Sequence, residues 1–295
     1  AGCLWGYAGG PPSTVIVGLN ADGSVILNMG AADIGTGTKT VMAMIVAEEL
    51  GVPLDRIRIE HADTGTTLYS APSGGSKTVP SDSPAVRAAA LDLKSKLLEL
   101  AAEQLKTPVE SLELRGGEIS ARGGSQKVAI GNLAALRQQQ ALVGVGKRAP
   151  NPTGKTARPF AAHFAEVEVN RYTGEIRVLR MVAAQDSGRV LNLLTYRNQV
   201  FGGLTMGIGF ALTERRVMDQ PTGKMANANW HDYKIPTAMD VPAELTCVPV
   251  DMHDHEWNNT STKGIGEPAT IPAAAAIANA FYHATGVRAR SAPMT

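Results

Sequence analysis

The sequence is poor in cysteine and carries almost no net charge. Cys3 and Cys247 are its two cysteines, and the formal net charge of its 295 residues is +1. Two thiols are too few for a disulfide framework, and since an iron–sulfur cluster takes about four thiolates, any such cluster is expected on another chain. Lysine and arginine form no basic stripe, so nucleic acid is not expected as a partner.

Long apolar runs are absent as well. No segment approaches the roughly 20 consecutive apolar residues of a membrane-spanning helix, and the opening AGCLWGYAGG has no charged lead into an apolar run. The sequence therefore predicts no membrane span and no visible targeting signal, and a cytoplasmic or periplasmic location is expected. The same opening, apolar and without Met, suggests a cut into a longer polypeptide.

The apolar and polar pattern predicts an α+β fold with mixed sheets and helices packed on them. Asp22-Gly23 supplies a tight turn between two β-favouring runs, so a hairpin is expected at 14–29. Residues 41–50 have a helical apolar period that ends at Gly51. The other predicted elements are a strand at 57–60, a helix at 84–105, hairpins at 112–120 and 164–183, a helical patch at 130–140, a helix at 198–212, a strand at 243–249 and a final helix at 273–280.

An internal boundary is expected where the periodicity weakens. Residues 122–158 carry Gly, Pro and Lys with little regular pattern. We therefore expect a first α+β subdomain at 1–125 with two cofactor loops, a connector at 126–158, and a second α+β subdomain at 159–295. The chain is long enough for two such bodies.

Two loops combine glycine with hydroxyl side chains immediately before predicted helices. They are Asp33-Ile34-Gly35-Thr36-Gly37-Thr38 and Pro72-Ser73-Gly74-Gly75-Ser76-Lys77-Thr78. Backbone N–H groups at a helix N-terminus favour anions, so both are candidate phosphate sites, although each taken alone is also typical of a plain turn. Neither matches the P-loop or the dinucleotide fingerprint, which argues against ATP and NAD.

The segment Lys263-Gly264-Ile265-Gly266-Glu267-Pro268 holds one carboxylate between two glycines and a proline, just before an Ala-rich helix. The glycines let a ligand approach the backbone, and the proline stiffens the turn. Glu267 is thus a candidate general base. A carboxylate that merely complements the helix dipole fits these six residues equally well, so both interpretations stay open.

One acidic and histidine-rich stretch invites a metal-binding interpretation. Asp251, His253, Asp254 and His255 have suitable side chains, but no second spaced pair completes a tetrahedral set. Alternating acids and imidazoles beside Trp257 are more typical of a solvated loop. The sequence therefore predicts no metal ligated by the protein itself.

Together these segments resemble the C-terminal half of the molybdenum-cofactor-binding large subunit of the xanthine oxidase and aldehyde oxidase family. Four motifs, in the family's order, carry the resemblance. Residues 33–40 are similar to the family's first pterin loop and residues 72–78 to its second. Asp186-Ser187-Gly188 with Asn192 is similar to the connection that leads to the Gln199-Val200 helix and its Gly202-Gly203, and Lys263–Pro268 is similar to the catalytic glutamate motif. The pattern is closest to bacterial aldehyde or isoquinoline oxidoreductases.

The resemblance implies a hydroxylase that oxidises an aldehyde to a carboxylic acid with oxygen taken from water. The molybdenum would be held by the pterin and not by the protein, Glu267 would be the base, and Gln199 would donate to the cofactor through its amide. The other cofactor-binding positions that the resemblance implies are Gly35, Thr36, Gly37, Thr38, Gly74, Gly75, Ser76, Lys77, Thr78 and Gly266.

The resemblance also implies further cofactors and partners. Bacterial members usually bind molybdopterin in its cytosine dinucleotide form, and electrons leave through 2Fe-2S clusters to FAD or another acceptor. An iron–sulfur subunit, the N-terminal half of the molybdenum subunit and, where FAD is the acceptor, a flavoprotein subunit are therefore expected. Three alternatives stay open: hydroxylation of an N-heteroaromatic ring of the isoquinoline or nicotinate type, a cofactor-binding module that is inactive without its missing half, and an α+β protein that binds a phosphorylated metabolite.

Overall fold

A computed structural model describes residues 1–6, 10, 12–133, 136 and 142–294. The chain divides into two compact units. Unit 1 comprises Ala1–Tyr7, Ala157–His253 and Lys263–Thr295, and unit 2 comprises Ala8–Thr156 and Asp254–Thr262. Each contains a sheet of parallel and antiparallel strands with helices packed on it, which confirms the predicted α+β fold.

The secondary structure follows the predicted order. In chain order the elements are β1 (Gly2–Leu4), β2 (Thr14–Leu19), β3 (Val25–Met29), α1 (Thr38–Leu50), β4 (Ile57–His61), α2 (Thr78–Leu105), β5 (Leu112–Arg115), β6 (Glu118–Ala121), β7 (Lys127–Ala129), β8 (Leu142–Lys147), β9 (Phe160–Val169), β10 (Ile176–Asp186), α3 (Leu193–Leu212), β11 (Glu244–Pro249) and α4 (Ala273–Thr285). The three hairpins, the two single strands and the first and last helices are therefore confirmed.

Unit 2 is built on a sheet with the strand order β4, β3, β2, β8. Alternate residues of β2 and β3 are buried, which places the core on one face of the sheet. Helix α1 connects β3 to β4, and these two strands pair in parallel, so the connection is a βαβ crossover. A small second sheet, β5, β6 and β7, completes the unit.

Helix α2 begins at Thr78, six residues before the predicted start at Pro84. Proline lacks the N–H that an interior helical position needs, so it is common at the first helical residue. In the structure Pro84 lies inside the helix. Because proline has no N–H, the carbonyl of Pro80 lacks the helical hydrogen bond that another residue at position 84 would donate. Arg148 Nε donates to this carbonyl instead, at 3.2 Å. Because Arg148 is itself buried, this side chain replaces the missing helical bond within the core.

Unit 1 is built on a sheet with the strand order β1, β9, β10, β11. Strands β1, β9 and β10 pair antiparallel, and β10 and β11 pair in parallel. Helix α4 packs on β9, and α3 packs on β10, β11 and α4. Their contacts enclose an apolar core that includes Met181, Val200, Leu204, Ile208 and Ile277.

Helix α3 starts at Leu193, five residues before the predicted start at Asn198. Asn192 is the N-cap, because its Oδ1 accepts hydrogen bonds from the N–H groups of Leu194 and Thr195 at 3.0 and 3.3 Å. An asparagine just before an apolar run is a helix start signal that the sequence interpretation passed over.

The predicted helical patch at 130–140 contains a short 3₁₀ helix, Ile130–Asn132, and most of its remaining residues lie outside the described part of the chain. The predicted subdomain boundaries stay a prediction. Within the predicted connector, β7 pairs with β6 and β8 pairs with β2, so its described strands extend the sheets of unit 2. None of the described helices has the length and apolarity that a bilayer crossing requires.

The packing of β8 on α2 yields a stability prediction. A Cβ added at Gly146 would overlap backbone atoms of Ala85 and Ala89, so no side-chain rotation relieves the clash. We expect Gly146→Ala to lower the free energy of unfolding by about 3 kcal/mol. Gly18→Ala, on the adjacent strand β2 where an added Cβ meets no atom within 4 Å, is the control and should leave it within ~0.5 kcal/mol. Equal urea midpoints for the two variants would contradict the packing argument.

Candidate functional site

The two glycine-rich loops lie at one edge of the unit 2 sheet. Strands β3 and β4 are parallel, and their carboxyl ends lead through these loops into α1 and α2 respectively. Since the carboxyl ends of parallel strands meet at one edge, the connections start side by side. Gly30 shows the contact directly, because a Cβ added there would lie 2.8 Å from the backbone nitrogen of Ser70. The fold therefore brings the two predicted loops together.

Asp33 organises the first loop. Its Oδ1 accepts hydrogen bonds from the N–H groups of Gly35 and Gly37 at 3.0 and 3.2 Å, and its Oδ2 accepts one from Lys39 at 3.1 Å. Burial alone would raise the pKa of Asp33, but these bonds, together with one from the Thr36 backbone, hold it below its usual value. The carboxylate thus takes up the anion-binding capacity at the start of α1.

This arrangement changes how the first loop is interpreted. The resemblance implied that Gly35 and Gly37 present their N–H groups to a cofactor, whereas in the structure both donate to Asp33. Both glycines have positive φ, 94° and 78°, so they shape the loop around the carboxylate. The hydroxyls of Thr36 and Thr38 lie 2.8 Å apart and hydrogen-bond to each other beside this turn.

The second loop ends on a helix whose start is not capped by a side chain. Gly75 and Ser76 have φ of 67° and 58°, and α2 begins two residues later. A serine in the left-handed region carries backbone strain, which is concentrated at functional sites. No described side chain caps the first turn of α2, and no acidic residue lies in that turn, so the helix dipole and N–H groups suit an anion.

Open space surrounds three glycines of the two loops. A Cβ added at Gly35, Gly74 or Gly75 would meet no atom within 4 Å. The hydroxyls of Ser73 and Thr78 hydrogen-bond to each other at 3.1 Å across the second loop. Glycine backbone, hydroxyls and an uncapped helix start are the groups that hold a phosphate-bearing cofactor, so the residues of this edge fit a molybdopterin.

A buried carboxyl supports the second loop from below. Asp82 Oδ1 accepts hydrogen bonds from the hydroxyls of Ser13 and Ser70 at 2.6 and 2.7 Å, which ties β2 and the loop to α2. Burial raises the pKa of Asp82, and the two hydroxyls offset this only in part. This cluster could not be predicted from the sequence, because its members are up to 69 residues apart.

Glu267 lies in unit 1, on a series of turns that leads into α4. Its backbone carbonyl accepts hydrogen bonds from the N–H groups of Thr270 and Ile271 at 2.9 and 3.2 Å. The residue is half-buried, and Pro268 and Ala269 after it are buried. The predicted glycine-flanked turn before the last helix is therefore present, with its carboxylate at the boundary between core and solvent.

An ion pair anchors the start of this turn. Lys263 Nζ lies 2.9 Å from Asp186 Oδ2, and both side chains are about nine-tenths buried. The Lys263 N–H also donates to the Ser187 carbonyl at 2.8 Å, while Asp186 Oδ1 accepts from the Gly188 N–H at 2.9 Å. A buried pair held by further hydrogen bonds fixes the geometry of the segments that it joins. The end of β10 thus holds the first residue of the glutamate turn.

Helix α3 fixes the other end of the turn. A Cβ at Gly203 would lie 2.5 Å from the carbonyl oxygen of Ala269, and one at Gly207 would overlap the side chain of Ala273. Only glycine permits this contact, so the helix backbone rests directly on the residues after Glu267. Gln199 lies four residues before Gly203 and is half-buried, so it shares the face of α3 that approaches the turn. A place for Gln199 beside Glu267 and Gly266 stays a prediction.

Within the described residues no group of three or more His, Cys, Asp or Glu side chains is arranged to hold a metal ion. His253 and Asp251, which the sequence pattern had suggested as ligands, form a local contact of 3.3 Å between Nε2 and Oδ1.

The chain is similar in sequence to several known proteins. Residues 2–242 match the profile of the family described as molybdopterin cofactor-binding domain. The aldehyde oxidoreductase molybdenum-binding subunit PaoC of Escherichia coli is 34% identical over 279 residues, which cover 95% of this chain and 37% of PaoC. The putative xanthine dehydrogenase molybdenum-binding subunit XdhA of Escherichia coli is 34% identical over 282 residues, 94% of this chain and 37% of XdhA.

A solved structure shows the same fold. The crystal structure of the Cu,Mo-CO dehydrogenase in its carbon monoxide reduced state superposes with a TM-score of 0.85 at 26% identity, over 97% of this chain and 37% of that one. The chain thus spans little more than a third of the length of these relatives.

The Asp33 carboxylate leads to a pH prediction. Because its pKa is lowered in the folded chain, its contribution is complete above the ordinary aspartate pKa of about 4 and is lost as the pH falls through the lowered value. We expect Asp33→Ala to lower the free energy of unfolding by about 1 kcal/mol at pH 7, and the gap to wild type to close in acid. Urea unfolding of both proteins from pH 7 to pH 3 measures this gap, and a gap that stays constant in acid would exclude the carboxylate as its source.

Gly202 and Gly203 form a matched pair on α3. Gly203→Ala forces the helix away from Ala269, so we expect the free energy of unfolding to fall by about 2 kcal/mol. Gly202→Ala meets no atom within 4 Å and should raise it by up to about 1 kcal/mol, because alanine favours the helix. Thermal unfolding of the two variants therefore gives shifts of opposite sign. Shifts of the same sign would mean that the α3 backbone does not rest on the glutamate turn.

Proposed function

This chain belongs to the molybdopterin cofactor-binding domain family, and on that premise we propose that it is part of the catalytic subunit of a molybdenum hydroxylase. The enzyme would oxidise an aldehyde to a carboxylic acid with oxygen from water. The observation that carries the proposal is the glutamate turn, where Glu267 is held between the Lys263–Asp186 ion pair and the backbone contact of Gly203 with Ala269.

The two loops of unit 2 would hold the cofactor. The uncapped start of α2 would receive a phosphate group, with Gly74, Gly75, Ser76, Lys77 and Thr78 around it. Gly35 and Gly37 would contribute shape more than hydrogen bonds, since their N–H groups donate to Asp33, and the Thr36 and Thr38 hydroxyls would donate in their place. Gln199, on α3, would donate through its amide.

Molybdopterin supplies the two-electron redox chemistry of the molybdenum that it carries. Glu267 would supply the proton transfer, because a carboxylate oxygen, Oε1 or Oε2, accepts the proton that water loses on becoming the nucleophile. Gly266 on one side adds no side chain that would crowd this oxygen, and Pro268 on the other stiffens the backbone. The half-buried position limits competing water around the carboxylate.

Electron transfer would need other chains. Cys3 and Cys247 are the only cysteines in the sequence, and four thiolates are the usual requirement of a cluster, so 2Fe-2S clusters would lie on a partner subunit. A flavoprotein subunit would be the onward acceptor, and the rest of the molybdenum subunit would complete the substrate pocket. The cofactor would be the cytosine dinucleotide form, and the assembled enzyme would function in the cytoplasm or the periplasm.

Hydroxylation of an N-heteroaromatic ring is the second candidate function. It is favoured by the xanthine dehydrogenase relative, which is as similar to this chain as the aldehyde oxidoreductase is. The reaction at Glu267 would be the same, and the pocket shape would choose the substrate. The two candidate functions are separated by measuring the turnover rates of the intact complex on benzaldehyde and on isoquinoline, each with an artificial electron acceptor.

We predict that Glu267→Gln in the intact complex retains molybdenum and pterin phosphorus but turns over the substrate 10²–10⁴-fold more slowly, because the amide cannot accept the proton. Metal and phosphorus analysis measures cofactor content, and dye-linked turnover measures activity. Glu175→Gln, at an exposed turn between β9 and β10, is the control and should keep normal turnover.

Normal turnover of the Glu267→Gln enzyme would remove the residue from the mechanism. Wild-type complex with molybdenum and no turnover would indicate the inactive module, and protein without molybdenum would indicate a metabolite-binding role. Each of the open alternatives therefore has its own experimental result.

A further inference from the structure

His163 and Gln185 are fully buried side chains whose polar atoms are unpaired. Both have no solvent exposure. Neither ring nitrogen of His163 and neither amide atom of Gln185 has a hydrogen-bond partner within the described part of the chain. An unpaired buried polar group is strongly unfavourable, and native proteins satisfy nearly all of them, commonly with ordered water.

The strand register places the two side chains together. On the antiparallel pair β9 and β10, His163 lies opposite Ala183, and Gln185 lies opposite Ala161. The four residues share the core face of the sheet, with the two polar side chains on one diagonal and two alanines on the other. Diagonal neighbours are about 7 Å apart, which suits one water between long side chains. The alanines leave room for it.

This polar pair lies beneath the glutamate turn. Cys3 on β1 is opposite Ala161, and its Sγ contacts the carbonyl oxygen of Pro268 at 3.7 Å. On the other side, the Tyr196 hydroxyl of α3 donates to the backbone carbonyl of Gln185 at 2.8 Å. The pair is therefore bounded by a strand that touches Pro268 and by the helix that supports Ala269.

The protonation state suits a bridging water. Burial lowers the pKa of His163 to about 4, so its imidazole is neutral at physiological pH. A neutral imidazole has one donor and one acceptor, and the Gln185 amide has both as well.

We propose that His163 and Gln185 hold one internal water between them, and that this hydrated pair positions the Glu267–Pro268 turn for proton transfer. The catalytic effect of the pair rests on the proposed function, whereas the presence of the water does not depend on it. His163 and Gln185 are positioning residues, since they act on the carboxylate through the turn. If His163 instead served only to fill space in the core, an apolar replacement would be tolerated better than a polar one, which is the opposite of what the proposal predicts.

The test compares two replacements of His163 in the intact holoenzyme. His163→Gln keeps a donor and an acceptor, so kcat should stay within about threefold of wild type, whereas His163→Leu should lose about tenfold or more with KM little changed. A core position with only a packing role would favour leucine over glutamine. Gln185→Leu should repeat the loss of kcat, and Met181→Leu, further along the same sheet face, is the control that should keep normal kcat.

Diffraction and thermal unfolding give readouts that do not depend on turnover. A high-resolution structure should show one water within about 3.2 Å of a His163 ring nitrogen and of the Gln185 amide. His163→Leu should have a lower Tm than His163→Gln, because leucine leaves the amide unpaired. The proposal would be overturned by a structure with no water between His163 and Gln185, or by a higher Tm for His163→Leu than for His163→Gln. Unchanged kcat in both His163→Leu and Gln185→Leu would overturn it as well. If the wild-type holoenzyme turned over no substrate, the proposed function would fail, while the water and the order of Tm would still decide this site.

Discussion

Direct contact between backbones, made possible by glycine, is the constraint on which both parts of the candidate site depend. In unit 1 the missing Cβ of Gly203 lets α3 rest on the carbonyl of Ala269, two residues after Glu267. In unit 2 the missing Cβ of Gly30 lets the first loop leave β3 beside Ser70, two residues before the second loop begins. Because backbone cannot rotate away as a side chain can, these contacts fix the loops more rigidly than side-chain packing would.

The N-termini of α1 and α2 in unit 2 differ in their electrostatic environment. Helix α1 has its own carboxylate, Asp33, which neutralises the first N–H groups and gives the loop its shape. Helix α2 has no such carboxylate among the described residues, and Asp82 lies in its second turn, where it binds hydroxyls below the loop. An anionic cofactor bound at this edge, as proposed, would therefore meet repulsion at α1 and attraction at α2, and this difference would orient it.

Local signals predicted most of the fold and the loops, whereas distant contacts could not be predicted. The hairpin turn at Gly23, the two loops and the glutamate turn depend on neighbouring residues, and each was found from its glycines. The start of α2 was placed wrongly because Pro84 is tolerated inside the helix only through Arg148, which is far away in sequence. The Lys263–Asp186 pair spans 77 residues, so the sequence alone gave no reason to join them.

The core face of the unit 1 sheet changes character along its length. One row across the strands is apolar, with Ala165, Met181 and Leu245, the next contains His163, and the row after that contains Gln185. Polar groups in a core lower stability unless they are hydrogen-bonded, and departures from this rule are concentrated at functional sites. The polar rows lie at the end of β10 that carries the Lys263–Asp186 pair, so the buried polar groups of this sheet gather at the end to which the glutamate turn is attached.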